Sequence, residues 1–284
     1  MKSIYLLIGG HSERILAATK RLLHLLSQHE ILIIISESWR FYQPVQDYPF
    51  IQYVNSLSSE SLGTCSCVLT IGGDGTVLRG ASTAFRFRRP LAGINAGHIG
   101  FLAKIPEQFH EDTILQLLDE RIPTKKLMTL QARWAEYHVD GILNDITLMR
   151  NLTDRMGSFH VYCDGEEISS WRSDGIVIFT PTGSTAYAYA AGGPAIDLNL
   201  KMIGLIPICS QSGRGNAIIC DGNRNIIICN HDNQLNITID GRQEASLPKG
   251  TPFHASQGSC GVDFYQMDTN WEIAKLNRTL ANLS

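Results

Sequence analysis

The segment Val68-Leu69-Thr70-Ile71-Gly72-Gly73-Asp74-Gly75-Thr76 narrows the choice of folds more than any other part of the chain. An apolar run stops at two glycines. A carboxylate and a third glycine follow, and Thr76 opens a helical pattern through Val77, Leu78 and Ala81. A strand that ends in glycines and feeds a helix N-terminus is an anion site. Glycine lets the backbone approach a phosphate, and the free amides and helix dipole favour negative charge. A carboxylate would repel phosphate there unless it binds Mg2+ or takes a proton from a hydroxyl that attacks phosphorus. The plainer alternative is a glycine-rich turn in which Asp74 caps the helix.

The first half of the chain alternates between strand and helix patterns. Strands are expected at Ser3–Ile8, Ile31–Ile35, Ile51–Val54, Cys67–Ile71 and Leu91–Ile94. A helix capped by Ser12 carries Ile15, Ala18, Leu22, Leu25 and Leu26 at three- and four-residue spacing, and further helices are expected over Thr76–Thr83 and Glu107–Glu120. Continuous apolar strands alternating with helices predict a parallel sheet covered on both faces. After Pro123 short alternating runs take over, at Leu130–Val139, Ile142–Arg150, Phe159–Cys163, Gly175–Thr180, Ala217–Cys220, Asn225–Cys229 and Leu235–Ile239. Asp-Gly pairs at 140, 164, 221 and 240 separate several of them, which is the pattern of a β-sandwich. One helix is expected at Ser184–Gly192 and another at Asn270–Leu280. The expected fold is therefore α/β plus all-β. An N-terminal Rossmann-like domain over 1–122 takes in a C-terminal tail at about 264–284, and a β-rich domain covers 123–263.

With 24 basic and 27 acidic residues among 284, the chain lacks the charge footprint of a nucleic-acid binder or a polybasic membrane anchor. No apolar run approaches the length of a membrane span, and the start, too short for a signal peptide, reads as a first strand. The seven cysteines include no Cys-x-x-Cys pair. Cys65, Cys67, Cys220 and Cys229 lie in apolar runs, as reduced core residues of a cytoplasmic protein would. His98 and His138 lack zinc-site spacing, so no metal ligands are expected and His98 reads as a loop histidine. A P-loop, the protein-kinase motifs and a Gly-x-Ser-x-Gly elbow are all missing from the sequence.

Three further segments carry chemistry. Gly93-Ile94-Asn95-Ala96-Gly97-His98-Ile99-Gly100-Phe101-Leu102 is a second glycine-rich loop at a strand end, placed to share the ligand-binding edge of the sheet with Asp74. In Leu143-Asn144-Asp145-Ile146 an amide beside a carboxylate suits adenine edges or sugar hydroxyls, although the same pair also makes β-turns. In Ser173-Asp174-Gly175 through Thr180-Pro181-Thr182-Gly183-Ser184-Thr185-Ala186-Tyr187 and Gly192-Gly193-Pro194, an apolar strand runs into a turn dense in hydroxyls and small residues. Close backbone approach to a ligand explains that density.

Together, from about Cys67 to about Asp240, these segments resemble the NAD kinase family in content and order. The Gly-Gly-Asp-Gly-Thr element alone is shared with diacylglycerol-type lipid kinases. The Thr-Pro-Thr-Gly-Ser-Thr-Ala-Tyr element is more specific. The resemblance implies transfer of the γ-phosphoryl of ATP, as its Mg2+ complex, to the 2′-hydroxyl of the adenosine ribose of NAD. It implies Asp74 as the catalytic carboxylate, with Gly72, Gly73, Gly75 and Thr76 on the phosphates and Gly75 also near NAD. Asn144 and Asp145 would hold adenosine and ribose groups, Asp174 the nicotinamide carboxamide, and Thr185, Ala186 and Tyr187 the adenine pocket. It further implies a homodimer or homotetramer. Three positions depart from the family pattern: Asp145, where many members have Glu; Ala190, where Ser is frequent; and Ser210-Gln211, where a Pro and a His are usual. A lipid kinase, or a dinucleotide sensor that has lost turnover, are the alternatives to test.

Overall fold

The computed structural model describes residues 2–58, 62–63, 65–97, 100–211 and 216–266. The chain packs as two units, one of Met1–Lys126 and Val262 onward, the other of Leu127–Gly261.

In the first unit the strands are β1 (Ser3–Ile8), β2 (Leu32–Ser36), β3 (Ile51–Val54), β4 (Cys65–Gly72), β5 (Leu91–Asn95), β6 (Ile105–Pro106) and β7 (Thr124–Leu127). The helices are α1 (Glu13–Gln28), α2 (Gln43–Gln46), α3 (Asp74–Phe87) and α4 (Glu111–Leu118). The sheet order is β3-β2-β1-β4-β5, with β6 beside β5, and the pairs β2–β3, β1–β2, β1–β4, β4–β5 and β5–β6 are all parallel. The chain returns at its far end as β20 (Val262–Tyr265), which lies between β5 and β7. Ile4, Leu6 and Ile8 of β1 join Ile33 and Ile35 of β2 and Leu22 and Leu26 of α1 in one buried cluster. Tyr5 and Ile34, on the opposite face, are buried as well, which is why those strands read as unbroken apolar runs. Ser12 caps α1, accepting the Ile15 amide at 3.4 Å.

The second unit holds two six-stranded sheets. One runs β15 (Ile218–Asp221), β14 (Met202–Ile208), β13 (Gly175–Phe179), β10 (Asp145–Arg150), β17 (Leu235–Ile239), β18 (Arg242–Leu247). The other runs β12 (Glu166–Ser173), β11 (Gly157–Cys163), β16 (Ile226–Asn230), β19 (Phe253–Gln257), β8 (Leu130–Trp134), β9 (Tyr137–Ile142). Ile146, Ile176 and Ile237 of the first pack with Phe159, Ile228 and Phe253 of the second in a single core, the sandwich expected from the alternating pattern. Asp164-Gly165 and Asp240-Gly241 each form a two-residue hairpin loop with both φ angles positive.

Several elements differ from expectation. Leu130–Val139 is not one strand: Trp134 pairs with Tyr137 across a tight turn in which Ala135 has φ +46°, and no glycine marks the reversal. Helix α3 starts two residues earlier than Thr76 and runs four past Thr83. Helix α4 is shorter than Glu107–Glu120, because Ile105-Pro106 pairs with β5 and Phe109 is buried ahead of the helix. Ser184–Gly192 is a 3-10 turn (Gly183–Thr185) followed by α5 (Tyr187–Ala190), broken at Ala186 where ψ is −125°. Asn270–Leu280 and His98 lie outside the described residues.

Candidate active site

The first unit brings three glycine-bearing strand ends together. A Cβ on Gly9, after β1, or on Gly72, at the end of β4, would stand 2.2 or 2.4 Å from the Thr76 hydroxyl oxygen. One on Gly97, after β5, would stand 3.1 Å from Gly73 Cα. Side chains at these positions would push the loops off the start of α3. The Gly9 amide donates to the Ile71 carbonyl at 2.8 Å and the Ala96 amide to the Gly72 carbonyl at 3.2 Å. Arg14 of α1 donates to the Gly97 carbonyl at 2.6 Å and is ion-paired with Glu107 at 2.8 Å. Gly73 and Gly75 have open space where a Cβ would stand. Packing within the unit therefore does not require a glycine at either position.

Asp74 does not cap its helix. The N-cap is Gly73, which contributes no side-chain hydrogen bond. The Asp74 carboxylate turns instead to the second glycine-rich loop. Its Oδ2 accepts the Phe101 amide at 2.6 Å, and its Oδ1 accepts the amides of Leu102 at 3.0 Å and Ala103 at 3.2 Å. A carboxylate offers about four acceptor positions. Three are filled, two on Oδ1 and one on Oδ2, so Oδ2 keeps one acceptor position. Gly100 permits this close seating: a Cβ there would lie 2.2 Å from Oδ1.

In the second unit Asn144 and Asp145, at the start of β10, are buried at 8% and 5% exposure. Asn144 Oδ1 has no hydrogen-bond partner, an orphaned acceptor of the kind a ligand donor satisfies. The backbone here is fixed by Asp240. Its Oδ2 accepts the Leu143 amide at 3.0 Å, and its Oδ1 accepts the amides of Asn144 at 2.7 Å and Asp145 at 3.2 Å. The Asp240 amide returns to the Asp145 carbonyl at 3.0 Å. Burial, and secondarily the Asp240 charge, raise the Asp145 carboxyl to about 7. Burial also pushes Asp240 upward, against the three amides that favour its charged form. The sequence shows Asp240 only as half of a turn signal, so its role as a three-amide acceptor is not visible there.

Next to this pair the turn after β13 closes tightly. A Cβ on Gly183 would stand 2.1 Å from the Asn144 carbonyl oxygen. Thr180 donates its hydroxyl to the Leu143 carbonyl at 2.5 Å and accepts the Gly183 amide at 3.1 Å. Ser184 donates to the Pro181 carbonyl and accepts the Ile196 amide. The Thr185 hydroxyl reaches the Thr182 carbonyl at only 3.4 Å, a weak bond that leaves it able to serve a ligand. Ala186 breaks the turn, and Tyr187, 41% exposed, lies within electrostatic range of Asp145. Asn144, Asp145, Gly183, Thr185 and Tyr187 are thus neighbours.

Asp174 is not among them. It precedes β13, while Thr180 follows it, so six residue steps along the strand separate the two by roughly 20 Å at ~3.3 Å per residue. Arg150 Nε donates to Asp174 Oδ1 at 2.7 Å, and Arg150 Nη1 gathers the carbonyls of Asn151, Leu152 and Asp154.

The model of the ATP-NAD kinase N-terminal domain matches residues 17–122, and that of the ATP-NAD kinase C-terminal domain matches residues 143–267. The chain belongs to the NAD kinase family. An NAD kinase of Pseudomonas putida GB-1 is 34% identical over 200 residues, 68% of each chain. That of Pseudomonas fluorescens Pf0-1 is 30% identical over 255 residues, 87% of this chain and 84% of its own. Two solved NAD kinase-type structures share the fold. The yeast NADH kinase complexed with NADH has a TM-score of 0.86 at 22% identity, covering 99% of this chain and 88% of its own. The Archaeoglobus fulgidus NAD kinase in complex with ATP has a TM-score of 0.69 at 20% identity, covering 94% of each. Membership in the NAD kinase family through both domain models replaces the lipid-kinase alternative. Among the described residues no helix is long and apolar enough to cross a membrane.

Proposed function

We propose that this chain is an ATP-dependent NAD kinase, transferring the γ-phosphoryl of ATP to the 2′-hydroxyl of the adenosine ribose of NAD to give NADP and ADP. Family membership supplies the reaction, and the Asp74 carboxylate is the observation that ties it to this chain's residues. Held by three amides with one acceptor position free, it receives the proton of the 2′-hydroxyl as phosphorus is attacked. The transition state of such transfers is loose, so orientation of that hydroxyl contributes much of the rate. The open space at Gly73 and Gly75, at the N-terminus of α3, suits the triphosphate. Mg2+ enters as part of the ATP substrate.

Asn144, Asp145, Thr185, Ala186 and Tyr187 bind the adenosine of NAD in this reading. The orphaned Asn144 oxygen is suited to an amino donor, and the Asp145 carboxylate to ribose hydroxyls. Asp174 is engaged by Arg150 and stands a strand's length from this adenosine group, and in this reading it serves the nicotinamide carboxamide at the other end of NAD. A homodimer or homotetramer and a cytoplasmic location belong to the same reading by kinship. The direct test is NADP formation by purified protein from ATP-Mg2+ and NAD. Tight NAD binding without NADP formation would instead make the chain a dinucleotide sensor.

A further inference from the structure

We infer that Asp240 is a positioning residue for dinucleotide recognition: its carboxylate fixes the backbone of residues 143–145 and so aims the side chains of Asn144 and Asp145. The inference rests on the NAD-binding role proposed for that pair. Asp240 and Gly241 form the loop between β17 and β18, with φ of +47° and +77°. Such a loop has no need of a carboxylate. Asn-Gly suits it at least as well, because Asn tolerates positive φ and carries no charge. A second carboxylate beside the buried Asp145 is electrostatically unfavourable, since like charges oppose each other's ionisation.

What the carboxylate supplies is acceptor capacity. Three consecutive amides, of Leu143, Asn144 and Asp145, converge on its two oxygens at 2.7–3.2 Å. The Asp240 amide closes the arrangement on the Asp145 carbonyl. Two strands are joined there by side chain and main chain together, at the point where β10 begins. An asparagine in the same place has one carbonyl oxygen. With that oxygen at the Oδ1 position it keeps two amides and turns its NH2 group, a donor, toward the Leu143 amide. The turn is preserved while the 143–145 backbone is released at one point.

The experiment compares Asp240→Asn and Asp240→Gly with the wild-type full chain. The Kd for NAD is measured by calorimetry, the KM for ATP by NADP formation, and Tm by thermal unfolding. Gly also accepts the left-handed turn and provides no acceptor at all. We expect Kd for NAD to rise about ten-fold in Asp240→Asn and up to about a hundred-fold in Asp240→Gly, from a misaligned pair and a stranded buried amide. The KM for ATP should stay within about two-fold of wild type, and Tm of Asp240→Asn should fall by no more than about 2–8 °C, as one stranded amide beside a preserved hairpin loop requires. A wild-type Kd for NAD in both variants would overturn the inference, as would equal shifts in the NAD and ATP constants accompanied by a fall in Tm. Wild-type protein that bound no NAD would instead sink the NAD kinase reading itself, which a failure confined to the variants would not.

Discussion

Gly100→Ala should disable the site by moving a single carboxylate. The added Cβ would lie 2.2 Å from Asp74 Oδ1 and 2.7 Å from Cγ, where ordinary contact begins near 3.4 Å. Asp74 must therefore retreat by more than 1 Å. Oδ1 accepts from Leu102 and Ala103 at 3.0 and 3.2 Å, so the retreat takes both beyond hydrogen-bond range. Two bonds to a charged acceptor are worth about 1.5–3 kcal/mol each, and solvent reaching the half-buried group recovers part of that, leaving a stability loss of about 1–3 kcal/mol. A misplacement of about 1 Å at a reacting group costs on the order of 10²-fold in rate. The assay is kcat for NADP formation at saturating ATP-Mg2+ and NAD, with Kd for NAD measured alongside. We expect kcat to fall about 10²-fold and Kd for NAD to hold, because Asn144, Asp145 and Thr185 lie in the other unit. A folded Gly100→Ala protein with near-normal kcat would refute the reasoning that Asp74 must sit where those amides hold it.

Gly75→Ala has open space for its Cβ within helix α3, so it should keep or slightly raise Tm while raising KM for ATP about ten-fold or more; an unchanged KM would remove Gly75 from the phosphate site. Thr185→Val should weaken NAD binding by about 1–3 kcal/mol with little change in Tm, since the hydroxyl's own bond to Thr182 is long; an unaltered Kd would count against its contact with NAD. Asp145, raised to about 7 by burial and by Asp240, binds protons more readily folded than unfolded. Its contribution to stability is therefore greatest below pH 4 and is lost as pH rises toward 7. Ribose hydroxyls favour its charged form, so NAD binding at pH 6.5 should release protons and affinity should rise from pH 6 to 8; calorimetry in buffers of different ionisation enthalpy reads both, and a flat profile without proton release would refute it. Asp174→Ala should raise KM for NAD well above its effect on KM for ATP; equal effects on both substrates with a fall in Tm would leave Asp174 as the structural partner of Arg150.

Much of the architecture is written in local pattern. Strands buried on both faces, such as Leu32–Ser36, and the Ser12 cap of α1 declare themselves within a few residues. The strands that do not read clearly each have a physical reason. Glu166–Ser173 is mostly exposed and polar, an edge strand paired with β11 that reaches the core through Trp171. Met202–Ile208 is fully buried but carries Gly204 and Pro207 in its interior, residues that argue against a strand from sequence. The site divides in the same way. The glycines and Asp74 form a motif because they are consecutive. Asp240 bonds to amides 95–97 positions away, and Arg150 pairs with a carboxylate 24 positions on, so neither leaves a local trace. Gly100 is legible as a glycine, but its reason, the Asp74 carboxylate pressed against it, exists only once the loop after β5 has folded over α3.

The central claim is that Asp74 takes the proton of the attacking 2′-hydroxyl. Asp74→Asn tests it most directly, because the amide keeps the shape of the side chain and at least one carbonyl acceptor for the 101–103 loop while removing the base. Steady-state NADP formation from ATP-Mg2+ and NAD, together with the Kd for NAD of the same preparation, should show kcat reduced at least ~10²-fold, the low end for a general base, with NAD still bound as in wild type. A near-normal kcat in Asp74→Asn would contradict the account and return the Gly-Gly-Asp-Gly-Thr loop to a purely structural role.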